Sequence, residues 1–370
     1  MSTFNSKRFI AVIALIFCGT TVNAQFAATS GQTATDLVNY LSGLNVTVTN
    51  ATMTCPSGES GIFTYSGSTL NMSDGVVLST APVSAIGAPV SNFVAAGSSA
   101  AGDADLANSI PGTPGTFDAC ILECDVIAAF DTLYLNYSFA SEEYPEYACS
   151  QYNDAFRFFI QGNGFTQYTN FALVPNTSIA TSINSVNMAP NGTFWNITTC
   201  NSLGTGSPFA QYYIDNQGQA GQDIVFDGLT TTLEAFIVVT TGLPYHLKFV
   251  VGNVSDGAFQ SAVFMEGGSL SSKNGTTTSA SKLSGNIPAL KVYPNPSNES
   301  ISLSIPSALA NKQLEVSIAE VVGKTVYTYS GAAGNLNKDL NAASRNFAPG
   351  VYALNLAVDG QQQLVKFQKN

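Results

Sequence analysis

The sequence predicts an all-β chain, a large β-sandwich-like N-terminal module followed by a small immunoglobulin-like β-sandwich, and three observations lead there. Only 10% of the 370 residues are charged, against about 25% in ordinary soluble domains, and 32 Gly and 15 Pro lie among many Thr, Ser, Asn, Val, Tyr and Phe. That is poor helix material and good strand and turn material. Apolar residues recur in short runs broken by Gly, Asn, Ser and Pro. A Ser/Thr/Gly-rich stretch, too poor in apolar residues to hold a core, divides the chain in two.

In order, Lys7 and Arg8 precede the apolar run from Phe9 to Phe17, and Val22-Asn23-Ala24 places small residues at a cleavage site. Residues 1–24 therefore read as a secretory signal peptide, with the mature chain starting at Gln25. The run is far short of the ~20 apolar residues that span a bilayer, and no transmembrane segment is expected elsewhere. Leu37, Val38 and Leu41, with Thr33 or Thr35 as N-cap and Gly43 near the end, predict a helix over 33–44. Strands are expected wherever alternation recurs, as at Leu133, Leu135, Tyr137 and Phe139, and at 155–160, 235–240, 245–251 and 262–266. The large module covers 25–269 and the linker 270–289. From 290 a smaller β pattern follows, with runs at 301–305, 314–318, 325–329 and 351–356, and fits an immunoglobulin-like sandwich.

The net charge of −11 is unevenly spread: from Gln25 to Leu270 there are 19 acidic residues and two basic ones, Arg157 and Lys248. A nucleic-acid binder needs basic surface to displace phosphate counterions, so that class is excluded. Docking on anionic lipid is disfavoured for the same reason, whereas cations such as calcium are attracted. Once Cys18 leaves with the signal, Cys55, Cys120, Cys124, Cys149 and Cys200 remain in an oxidising compartment, which allows at most two bridges and leaves one thiol. Cys120 and Cys124 on one straight strand stand ~13 Å apart, too far for a bridge between them. A zinc site wants more Cys or His at matching spacing, and the chain has a single His.

One constellation stands above background: Glu142, Glu143, Glu146 and Asp154 around a Tyr-Pro turn, with Asp103 and Asp105 able to join from another loop. Crowded carboxylates repel, and calcium, which takes six to eight oxygen ligands from flexible loops, relieves that repulsion. The plainer reading is a solvated acidic rim that orders its loop through hydrogen bonds to backbone. An EF-hand is excluded, since Ala107 occupies the third ligand position.

Enzymatic readings have less behind them. His246 lies on the strand face opposite Tyr245, Leu247 and Phe249, and no Gly-x-Ser-x-Gly elbow accompanies it. A glycosidase needs only two suitably spaced carboxylates, which the acidic cluster offers. Trp195 reads as core packing before sugar stacking. Ten Asn-x-Ser/Thr sequons follow from the composition.

Two stretches resemble known families. Val292-Tyr293-Pro294-Asn295-Pro296, Val322-Gly323-Lys324, Pro349-Gly350-Val351-Tyr352 and Val365-Lys366-Phe367 resemble the type A C-terminal sorting domain of the type IX secretion system of Bacteroidota. The resemblance implies Tyr293, Pro294, Asn295, Pro296, Gly350, Val351, Tyr352 and Lys366 as the sorting motif, the type IX machinery as partner, and an outer-surface or extracellular destination. The large region resembles the choice-of-anchor L domain, through residues 75–80, Gly102-Asp103-Ala104-Asp105-Leu106, Phe139 to Tyr147, Tyr152-Asn153-Asp154, 172–177, 183–187 and 245–264. That family places aromatics at 124 and 149, so the cysteines there imply an extra disulfide; no catalytic set comes with it. The expectation is a secreted adhesion or binding protein and not an enzyme, calcium-stabilised at the acidic cluster and contacting glycan or another surface protein. A carboxylate-based hydrolase and a structural matrix component are the alternatives.

Overall fold

The computed structural model describes residues 25–90, 97–110, 112, 115–188, 194–217, 223–274, 291–320, 325–358 and 361–370. The expected signal peptide, most of the expected linker and Val322-Gly323-Lys324 lie outside the described residues.

In chain order the large module runs β1 (Phe26–Ser30), α1 (Ala34–Leu41), β2 (Val46–Thr54), β3 (Ser60–Tyr65), β4 (Asp74–Ser79), α2 (Ala104–Asn108), β5 (Thr116–Ala128), β6 (Thr132–Ser141), β7 (Ala155–Gly162) and β8 (Phe165–Asn170). It continues with α3 (Ile197–Asn201), β9 (Tyr213–Asp215), β10 (Gly228–Thr230), β11 (Leu233–Val238), β12 (Pro244–Val254), β13 (Ser261–Glu266) and β14 (Ser271–Lys273). One antiparallel sheet has the order β1-β3-β4-β13-β6-β10-β9, with β11 and β14 also on β6; the other has the order β2-β5-β12-β7-β8.

Alternation decides how the sheets face each other. Cys120, Leu122, Cys124 and Val126 of β5 and Phe156, Phe158 and Ile160 of β7 meet Leu133, Leu135, Tyr137 and Phe139 of β6 in one core, all of them fully buried. Burying each large apolar side chain is worth ~1.5–3 kcal/mol, so this interface holds the module together. The outer face of the second sheet is closed by α2, whose Leu106 packs with Ala155, Phe159 and Val250. The sheet is thereby buried on both sides at β7.

The predicted helix is present as α1, with Leu37, Val38 and Leu41 buried. Thr33 caps it: its hydroxyl accepts the Asp36 amide while the Asp36 carboxylate accepts the Thr33 amide at 3.0 Å. The helix ends at Leu41 because the chain then passes close to 268–270, where a Cβ on Gly43 would lie 1.9 Å from the Gly268 carbonyl. Four of the residues expected to open the linker belong to the module instead: Leu270 is buried, and Ser271–Lys273 form β14 on β6.

The smaller unit contains β15 (Lys291–Tyr293), β16 (Ser302–Ser304), β17 (Gln313–Glu320), β18 (Thr325–Ala332), α4 (Ala333–Ser344), β19 (Gly350–Val358) and β20 (Gln361–Lys369). Its four-stranded sheet, β18-β17-β19-β20, shares one apolar core with the β15-β16 pair and α4. The sequence reading missed α4. Its Asn-rich sequence has low helix propensity, and a narrow stripe of Ala333, Leu336 and Leu340 buried in that core outweighs it.

Candidate functional site at one end of the sandwich

Pairing brings the start of β5, the end of β6, the start of β7, the end of β12 and the start of β13 to the same end of the sandwich. Asp118, Glu142, Glu143, Asp154, Asn253 and Asp256 all sit there. The expected solvated rim is not what forms: Asp118, Glu142, Glu143 and Asp154 are each at most 2% exposed, and of the loop's expected acids only Glu146 stands in solvent. The reason is that their oxygens terminate the sheet ends. Asp154 accepts the Val254 amide with one oxygen and the Ser261 hydroxyl with the other, both at 2.8 Å. Glu142 accepts the Gln260 amide at 2.7 Å. Asp118 accepts the Ala100 amide at 2.9 Å, beneath a loop so close that a Cβ on Gly97 would meet its carboxylate at 1.9 Å.

Glu143 is different. Its Oε2 is buried without a hydrogen-bond partner, and so is Oδ1 of Asn253, whose Nδ2 faces Asp118 at 3.4 Å. Burial first, then the nearby Asp154, Asp256, Glu142 and Glu146, push the Glu143 carboxyl far above the usual carboxylate range. Burial likewise raises Asp154, against the pull of its two hydrogen bonds. Two further buried acids carry an unpartnered oxygen, Glu59 and Asp227, each raised to about 7 chiefly by burial.

Above this acidic floor lies an aromatic patch that sequence reasoning missed. Tyr147, one helical turn after Glu143, stacks on Phe194 with ring centroids 5.0 Å apart and planes 10° apart. Tyr152 meets both edge-on, and Phe259 lies 5.3 Å from Tyr147. Phe194 is 53% exposed, whereas its neighbour Trp195, the aromatic weighed from the sequence, is half-buried with its indole N–H unpartnered. The Cys149–Cys200 disulfide ties the two loops together, and the Asn196 amide donates to the Cys149 carbonyl at 3.0 Å. Among sequence signals, only Trp195, next to Phe194 in the chain, lies near this patch.

The remaining expected ligands lie elsewhere. Asp103 caps α2 through the Leu106 amide, and its other oxygen joins Asp105 in holding the Lys248 ammonium, 2.6 Å from each. Burial works against the charge on Lys248, yet the two carboxylates outweigh it and raise its pKa; the Tyr168 ring adds a cation-π contact at 5.3 Å. This clamp sits on the outer face of the second sheet, so Asp103 and Asp105 do not join Glu143. Among the described residues, no group of three or more His, Cys, Asp and Glu side chains is placed to hold a metal ion.

His246 bridges Asp125 at 2.8 Å and Glu123 at 3.3 Å on that same outer face, and neither partner is a serine or a cysteine. Cys55 bonds Cys120 and Cys149 bonds Cys200, while Cys124 stays a buried thiol pushed up to about 12, mainly by burial. The extra bridge implied for positions 124 and 149 thus involves Cys149 alone.

In the smaller unit the sorting-motif residues converge. Asn295 donates to the Lys366 carbonyl and accepts the Gln368 amide at 2.9 Å, so the first motif clasps the last strand. Tyr352, beside Gly350 and Val351, is buried between Phe347 and Phe367, and its hydroxyl donates to the Ala348 carbonyl at 2.7 Å. Tyr293, followed by Pro294 and Pro296 along the chain, is 51% exposed.

Comparison with known proteins places both parts. Residues 22–271 match the choice-of-anchor L domain, and residues 291–370 match the secretion system C-terminal sorting domain. Neither description names an enzyme. None of the curated proteins matches the chain. Among solved structures, a β-glucuronidase from an uncultured Clostridium sp. shares 9% identity over 68% of this chain and 35% of that one, at a TM-score of 0.17. A β-1,2-glucanase from Parabacteroides distasonis shares 10% over 90% and 38%, at 0.23, and a β-D-glucuronidase from Dictyoglomus thermophilum 10% over 86% and 43%, at 0.15. The chain thus spans well under half the length of these structures, and likeness at that level carries no argument about activity. No helix among the described residues is long and apolar enough to cross a membrane. The chain belongs to the choice-of-anchor L family and ends in a type IX sorting domain, which makes it a secreted protein exported to the cell surface or the extracellular space.

Proposed function

We propose that the large module is an adhesive binding module and not a catalyst, and that it meets a glycan or another surface protein through the acidic and aromatic end of the sandwich. The observation that carries this reading is the stacked pair Tyr147 and Phe194, with Phe194 more than half exposed on loops joined by a disulfide. A ring already stacked and tethered loses little freedom on binding, and it offers a flat apolar face to the C–H face of a sugar. The exposed Glu146 beside it accepts hydroxyl donors.

The test is binding of the mature full-length chain to a polysaccharide panel, with chromatography of the supernatant. Retention without released product is expected, and Phe194→Ala should weaken it about tenfold or more. Released sugars would replace this reading with a hydrolase. Retention unchanged in Phe194→Ala would move the contact away from this end.

A further inference from the structure

The module has a charge problem that its own side chains do not solve. Its two basic residues between Gln25 and Leu270 are committed elsewhere: Lys248 to Asp103 and Asp105, and Arg157 to the backbone carbonyls of Phe156 and Thr181. The carboxylates of Glu143 and Asp154, each 1% exposed, lie at the same end of the sandwich and feel the negative charge of Asp256, and neither basic residue is there to offset it. An isolated buried carboxylate costs several kcal/mol, so it must be neutralised by a proton or by a cation. A water molecule can satisfy a lone pair, but it brings no charge.

Two unpartnered acceptors single out the cation. Oε2 of Glu143 is buried with nothing donating to it, and so is Oδ1 of Asn253, a fully buried amide whose other end is turned to Asp118 of the same cluster. Both are oxygens in need of a positive partner. The oxidised Cys149 and Cys200 offer no thiolate, and the one histidine lies on the outer face with Glu123 and Asp125. An all-oxygen donor set selects a hard cation over zinc or copper.

We propose that this end of the sandwich binds one hard divalent cation, calcium by preference, between the carboxylates of Glu143 and Asp154, with the Asn253 amide oxygen as a neutral donor and Asp256 as supporting charge. Two carboxylates and an amide, completed by backbone carbonyls or solvent, need no third acid side chain at ligand distance. The site differs from the six-carboxylate set expected from the sequence: Asp103, Asp105, Glu142, which accepts the Gln260 amide, and the exposed Glu146 are not part of it. It is independent of the glycan reading, because it concerns the floor of the patch and not the rings.

The experiment is a thermal melt of the mature full-length chain in EDTA, in calcium chloride and in magnesium chloride, with titration calorimetry of calcium alone. At about 100 times its Kd, a bound cation should raise the midpoint by roughly 5–10 °C. Glu143→Gln should abolish that rise while melting in EDTA at or above the wild-type temperature, because it removes a buried charge and keeps the shape. Asn253→Ala should weaken calcium binding severalfold. A wild-type midpoint that ignores all divalent cations overturns the proposal, as does a calcium shift that survives in Glu143→Gln.

Discussion

The carboxylate of Asp154 accepts the hydroxyl of Ser261 at 2.8 Å, and this contact joins the two sheets of the large module at one end. Ser261 lies on β13 in the first sheet; the other oxygen of Asp154 takes the Val254 amide of β12 in the second. Ser261 also meets Ser141 at 2.8 Å, so a short polar chain replaces apolar packing where the core stops. Ser261→Ala leaves a fully buried carboxylate oxygen without its donor. The expected cost is about 1–3 kcal/mol, read as a lower denaturant midpoint at unchanged slope.

Stability should fall as pH rises from about 4 to 8. Glu59 and Asp227 are raised from 4.5 and 3.8 to about 7 in the folded chain, chiefly by burial. Above the unfolded values, the folded state binds more protons than the unfolded one, so each unit of pH costs stability until the folded value is passed. Chemical denaturation across this window should show the decline, and Glu59→Gln with Asp227→Asn should make it shallower, leaving the share of Glu143 and Asp154, which burial also raises. A profile that rises toward pH 8 in both proteins would contradict the assignment.

Lys248 is the pin of the α2 cover. Lys248→Met should destabilise the module by about 2–4 kcal/mol, because it leaves Asp103 and Asp105 repelling each other with no counter-charge. Asp105 is 40% exposed, which keeps the loss below that of a fully enclosed pair. Hydrogen exchange in residues 103–110 should accelerate more than exchange in the β6 core.

Cys124 should be invisible to thiol reagents in the native protein. It is fully buried on the core face of β5, and its thiol is pushed to about 12, so almost no thiolate exists at neutral pH. Without reductant, alkylation should label no cysteine of the folded mature chain and one after unfolding. Mass spectrometry reads both.

Much of the fold was legible because it rests on local periodicity. The face shared by Leu133, Leu135, Tyr137 and Phe139 is the inner face of β6, and Thr33 with Leu37, Val38 and Leu41 places α1. The limit of two bridges and one thiol followed from parity alone. The candidate site was legible only in part. Glu142, Glu143 and Asp154 stood out by their clustering, but their burial depends on strands far along the chain, at Val254 and Ser261. The patch joins Tyr147, Tyr152, Phe194 and Phe259, which share no spacing. Asp103 and Asp105 look like ligands in the sequence because nothing local reveals that Lys248 comes back across them.

The Cys55–Cys120 bond also records how β2 lies on β5. Thr54 stands opposite Ile121, so Cys55 reaches Cys120; a slide of β2 by four residues would put Cys55 opposite Cys124 instead. Because side chains alternate with a period of two, such a slide keeps every apolar residue on its own face, and hydrophobic patterning does little to oppose it. The identity of the oxidised cysteine then separates the two alignments. A chain closed through Cys124 would be covalently held out of register, and only thiol–disulfide exchange would release it.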